Sequence, residues 1–294
     1  SGFRQAMNYI PTEPNEITLE WLINELYRIG DTISVNISPT NDPMLEIAKG
    51  AIAGHSSVNK FGRCPDNVDN GVDTDIWDGA DTTTANIIWD APTAARIHAI
   101  VSDNAADTSA GAGARTIQVY GLTSWDTEET SEVITLSGVT PVNTTNAYVI
   151  IHRMKVLTKG ATAVNVGTIS ATAATDATVT AYIKPSEGQT QMAIYGIPST
   201  QTAYLTKLYA AVNRAVSASV NIVLLFNPEP DVELTNFQVK STLAVNSTGA
   251  GFIEREYSPY NKFTGPCILK VQASSSANNT DVSAGFDLIL VDNA

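Results

Sequence analysis

The chain has 294 residues, 43% of them apolar and only 16% charged, which is enough to build one large or two medium cores. Seventeen Lys and Arg against thirty Asp and Glu give a formal charge of -13, which repels phosphate backbones and anionic surfaces and excludes nucleic acid and membrane as expected partners. No apolar run is long enough to span a bilayer, the start lacks the basic-then-apolar pattern of a signal peptide, and Cys64 and Cys267 stand far apart in no metal-ligand spacing, so two reduced thiols in a soluble chain are expected.

Residues 15–30 read as a helix. Asn15 can cap it, Glu16 and Glu20 complement the N-terminal dipole, Arg28 complements the other end and Gly30 can stop it. Leu19, Leu22, Leu26 and Ile29 recur at three and four residues and form a narrow apolar seam. That seam must bury against something, either the chain's own β domain or a partner in self-association or docking. Prolines at 11, 14, 39 and 43 punctuate the region, so residues 1–50 are expected to be an N-terminal arm and helix that serve attachment.

Residues 50–82 are dense in Gly, Asn and Asp with little periodicity and read as an irregular acidic lead-in. From about residue 87, short β-prone runs alternate with turn-rich gaps: 96–101, 116–120, 132–136, 148–157, 179–183, 191–195, 204–210, 220–226, 237–245, 252–257, 268–273 and 286–291. The expected fold class is therefore mainly β, with tandem β-sandwich or jelly-roll-like domains. Residues 160–178 hold Ala, Thr and Gly with few large side chains, and place a boundary between a first β domain, 51–160, and a second, 161–294. DTSAG at 107–111 and DVSAG at 281–285 read as matching turns, an echo that duplication of one sandwich could leave.

Among chemistry-bearing residues, Asp69, Asp73, Asp75 and Asp78 are spaced so that a tight loop could offer oxygens to Ca²⁺. The EF-hand template fails, because Trp77 stands where a carboxylate or amide is needed and Gly79 falls one residue late. A solvated acidic turn is the plainer reading, and no other cofactor is expected. His55, His98 and His152 occur in unrelated contexts, no nucleophile elbow or phosphate loop is present, and acid pairs such as Glu128 with Glu129 or Glu254 with Glu256 fit a wet β surface. The sequence reads as non-enzymatic. Trp77, Trp89, Trp125, Tyr257 and Tyr260 lie near turns, where they either pack the core or present a glycan- or subunit-binding surface.

Several strings carry a resemblance: SVNKFGR at 57–63, DIWDG at 75–79, EVITLSGVTPV at 132–142, EGQTQMAIYGIP at 187–198 and NNTDVSAGFDLILVDN at 278–293. Together they resemble β-rich virion structural proteins of tailed bacteriophages, marine ones especially. YIPTEPNEITLEWLINELYRI at 9–29 separately resembles the leading segments of small phage virion proteins. The resemblance implies a component of the virion, either a capsid decoration or another head- or tail-attached protein. It also implies homotrimers that contact other virion proteins, with no catalytic residues to carry over. A receptor- or glycan-binding module of the virion is the alternative it leaves.

Overall fold

The computed structural model describes residues 42–81, 86–162 and 164–293. The seam residues Leu19, Leu22, Leu26 and Ile29 lie outside the described residues. Description begins with a short helix, Pro43–Ala48, where proline stands first and the Asp42 carboxylate accepts the backbone N–H groups of Met44 and Leu45 at 3.0 and 3.3 Å. Among the described residues no helix is long and apolar enough to cross a membrane.

Residues 47–294 form one compact unit, and it is mainly β. Its strands are β1 (His55–Val68), β2 (Thr74–Asp75), β3 (His98–Ser102), β4 (Ala114–Leu122), β5 (Thr130–Thr135), β6 (Val142–Asn143), β7 (Ile150–Lys159), β8 (Ile169–Ala173), β9 (Val179–Ile183), β10 (Ile194–Ile197), β11 (Gln201–Asn227), β12 (Gln238–Thr264), β13 (Cys267–Ser275) and β14 (Thr280–Asp292). They form a seven-stranded sheet, a four-stranded sheet ordered β6-β3-β8-β9 and a three-stranded sheet ordered β5-β4-β7. Every strand pair in them is antiparallel.

The seven-stranded sheet is organised by β11. Over residues 202–226 one of its edges pairs with β12. On the other edge, residues 201–213 pair with β14 and residues 220–227 with β13. β13 and β14 therefore run end to end along β11, interrupted at residues 276–279. β1 covers the outer side of β14, while β10 and β2 cover β13. Alternation in β13 and β14 places Val271, Ala273, Val282 and Ala284 in a single core shared by all three sheets, with Trp77, Trp89, Tyr148, Phe263 and Phe286 as its largest members. Cys64 and Cys267 are buried and form no disulfide, and burial pushes the Cys267 thiol up.

The expected boundary near residue 160 does not match the pairing. β3 pairs with β8 and β1 with β14 across it, and the Ala- and Thr-rich segment supplies β8, whose Ile169, Ala171 and Ala173 are buried. Small side chains there allow close packing of layers. The supposed echo is also not a structural repeat: residues 107–111 are turn, whereas 281–285 lie inside β14.

The expected irregular segment contains a fourteen-residue strand, β1. Its inward positions include Lys60, Gly62 and Cys64, and Gly62 is required by close approach. A Cβ there would lie 2.2 Å from the Ile76 carbonyl oxygen and 2.5 Å from the Ala193 nitrogen, the two atoms that share a 2.9 Å backbone hydrogen bond. Gly62→Ala is expected to cost about 1–3 kcal/mol, read as a lower denaturation midpoint at unchanged slope.

Candidate functional site

Between β1 and β10 of the large sheet and β4 and β7 of the three-stranded sheet lies a cavity of about 390 Å³. β1 directs Asn59, Lys60 and Phe61 to it, β7 His152 and Arg153, β4 Tyr120 and β10 Tyr195; Glu129 enters from the loop before β5. Residues 188–190 follow β7, where the Val156 N–H reaches the Gly188 carbonyl at 2.7 Å and the Thr190 N–H reaches that of Met154 at 2.9 Å. This brings Gln189 and Thr190 to the rim.

Lys60 is 8% exposed. Its Nζ donates to the His152 carbonyl at 2.5 Å. Burial, reinforced by the charge of Arg153 and opposed by Glu129, pulls its pKa down to about 7. His152 Nε2 lies 2.5 Å from Glu129 Oε2, and its ring is 4.5 Å from that of Tyr195. Burial holds the imidazole below its ordinary value despite Glu129. For Glu129, burial works upward, but the His152 hydrogen bond and the charges of His152, Lys60 and Arg153 outweigh it and leave the carboxyl below its usual range. His152 Nε2 and Glu129 Oε2 therefore form a tightly coupled pair, while His152 Nδ1 is buried without a hydrogen bond. Neither ring nitrogen is open to a ligand, and the imidazole positions Glu129. Arg153 donates to Gln189 Oε1 at 3.1 Å and stacks 5.6 Å from the Tyr120 ring centre. The site holds a guanidinium, a lysine that titrates near neutrality and one carboxylate around a polar hollow, an arrangement suited to holding an anionic, hydroxylated group when Lys60 is protonated.

The acidic run is dispersed into structural roles. Asp75 is buried and pairs with Lys270 at 2.6 Å. Asp78 accepts the Gln191 N–H at 2.7 Å, Asp69 accepts the Asn279 N–H at 2.8 Å, and Asp73 is exposed. Among the described residues no group of three or more His, Cys, Asp or Glu side chains is arranged to hold a metal ion, so the expected Ca²⁺ set is not assembled. The aromatic candidates also need correction. Trp77, Trp89, Trp125 and Tyr257 are buried, and Tyr260 is 45% exposed. The indole N–H groups of Trp77 and Trp89 donate to the carbonyls of Asn86 and Thr180 at 3.0 and 2.9 Å, and the Tyr257 hydroxyl donates to Ser241 at 2.7 Å. Each polar tip is satisfied inside the protein, as burial requires.

No family model matches the chain, and no curated protein matches it. Among solved structures, a chain from the "Structure of infectious bursal disease virus Gt strain" aligns at 9% identity over 81% of this chain and 73% of that one, with a TM-score of 0.22. A likeness of that order carries no argument about fold or function.

Lys60, Glu129, His152, Arg153 and Tyr195 come from separate segments without a shared motif, so nothing in the sequence marks them as a group. One signal was available: in the alternating set Val58, Lys60, Gly62, Cys64, a lysine occupies a position that the pleat turns inward.

Proposed function

We propose that the chain is a non-enzymatic structural component of a virion, head- or tail-attached, whose β-rich unit assembles with copies of itself as a homotrimer and contacts other virion proteins. The observation that carries this reading is the outer edge of β12. Among the described residues β12 pairs with β11 alone, so a strand of 27 residues, roughly 90 Å at full extension, has one long side that no other strand covers. Long edges are ordinarily guarded by charges, bulges or proline. Lys240, Glu254, Pro259 and Lys262 stand toward the ends, but residues 241–253 carry no charge, and Val239 and Phe252 are each 64% exposed. Strand addition from another copy satisfies such an edge and buries those side chains.

Light scattering on the purified chain is expected to give three times the 31.2 kDa chain mass. Ala244→Lys, at an exposed position of the uncharged run, should reduce it to the monomer without lowering the melting temperature. A wild-type monomer at every concentration removes the self-association. Placement on a particle is tested by a peptide inventory of virions purified from lysates of the phage that carries the gene. The chain should be present at constant copy number, and its absence overturns the reading.

A second reading, a receptor- or glycan-binding module of the virion, is favoured by the polar cavity at Lys60. It draws little from the aromatic candidates, four of which are in the core.

A further inference from the structure

The geometry points to the cavity between β1 and β7 as a binding site for an acidic sugar, with Lys60 and Arg153 as anchors for the sugar's carboxylate. This rests on the glycan-binding reading and is independent of the edge of β12.

The first ground is an unfilled donor set. An ammonium group has three N–H donors. That of Lys60, nine-tenths buried at the cavity wall, makes one hydrogen bond, to the His152 carbonyl. The Arg153 guanidinium spends one donor on Gln189. The nearby counter-charge, Glu129, commits Oε2 to His152. When Lys60 is protonated, two cations thus face one partly engaged carboxylate, a local excess of positive charge in a chain whose net charge is -13. An incoming carboxylate offers four lone-pair sites to those donors.

The second ground selects the rest of the ligand. Glu129 keeps Oε1 at a side chain 41% exposed, and Gln189, Thr190 and Ser57 line the same hollow. These groups accept hydrogen bonds from hydroxyls. Phe61, 37% exposed at the rim, presents an apolar face to the C–H side of a sugar ring. Inorganic phosphate suits the site poorly, since it brings two negative charges beside Glu129 and few donors for its acceptors. The volume of about 390 Å³ falls within the range of about 300–1,000 Å³ typical of small-molecule pockets.

Titration calorimetry of the full chain with D-glucuronate, D-glucose, acetate and inorganic phosphate tests the assignment. Glucuronate is expected to bind at least about tenfold more tightly than the other three, and Lys60→Met and Arg153→Gln should each weaken it about tenfold with unchanged circular dichroism. Acetate or phosphate binding as tightly as glucuronate overturns the sugar assignment, and so does retention of glucuronate by both variants. Equal binding of glucose and glucuronate removes the acidic sugar while leaving a glycan-binding module. Absence of binding by all four overturns the acidic-sugar site, and a glycan array then decides the broader reading separately. Arg153 is exposed on β7, so its variant keeps the test informative if Lys60→Met fails to fold.

Discussion

Asp75→Ala is expected to destabilise the protein by about 3–5 kcal/mol, the cost of leaving one member of a buried ion pair uncompensated. Lys270 is 3% exposed and Asp75 fully buried, and their side chains meet at 2.6 Å. The carboxylate also accepts Gln272 Nε2 at 3.1 Å and the Trp89 N–H at 2.8 Å. It therefore ties β2 to β13 and fixes the segment that delivers Trp89 to the core. Alanine removes three acceptor contacts at once and strands an ammonium group whose remaining neighbour is the Phe237 ring, 4.3 Å away. The double variant Asp75→Asn with Lys270→Met, which removes both charges, should recover a large part of the loss. Urea denaturation of the three proteins measures this directly. A loss below about 1 kcal/mol for Asp75→Ala would mean that water reaches the pair.

The same carboxylate illustrates what the sequence could and could not convey. As one of several closely spaced aspartates it resembled a cation loop, because spacing along the chain is visible and the partner, Lys270, lies 195 residues away. Strands with regular alternation were readable: residues 179–183 coincide with β9, and 116–120 lie within β4. The long strands were read in pieces. Residues 211–219, AVNRAVSAS, have no apolar period, yet β11 runs through them, paired with β12 up to Arg214 and again from Ala218 across a register shift, because backbone pairing does not depend on which side chains alternate. β8 lies in the segment that reads as a domain boundary for a related reason, since its inward residues after Ile169 are alanines.

The cavity was illegible for a different reason. β1 departs from an apolar pattern at Lys60 and Gly62, one a wall residue of the cavity and the other a point of backbone contact. Local rules failed where a polar group had been turned inward, which is where functional residues tend to break them. His152 read as an isolated histidine because its partners lie far along the chain: Glu129 comes from the loop before β5, two strands away in the same sheet, and Tyr195 from the packing of β10 against β7.

Lys60→Met is expected to be more stable than the wild-type protein below about pH 7, and the difference should close as pH rises toward 10.5. Burial lowers the folded-state pKa of Lys60 from 10.5 to about 7, so between those values the unfolded chain holds a proton that the folded one has released. Stability then rises with pH across that window. Below it, both states are protonated and the folded protein bears the full cost of the buried charge, roughly 5 kcal/mol for a displacement of this size. Methionine removes that cost and keeps an unbranched side chain one atom shorter, at the loss of one hydrogen bond to the His152 carbonyl, worth about 1 kcal/mol. Denaturant melts of both proteins at about pH 6 and about pH 9 isolate the lysine, because every other titrating group is common to the pair. A difference that does not change with pH would mean that Lys60 titrates normally and that the cavity does not desolvate it. A difference that narrows, together with loss of glucuronate binding in the same variant, assigns both the cost and the binding to one ammonium group.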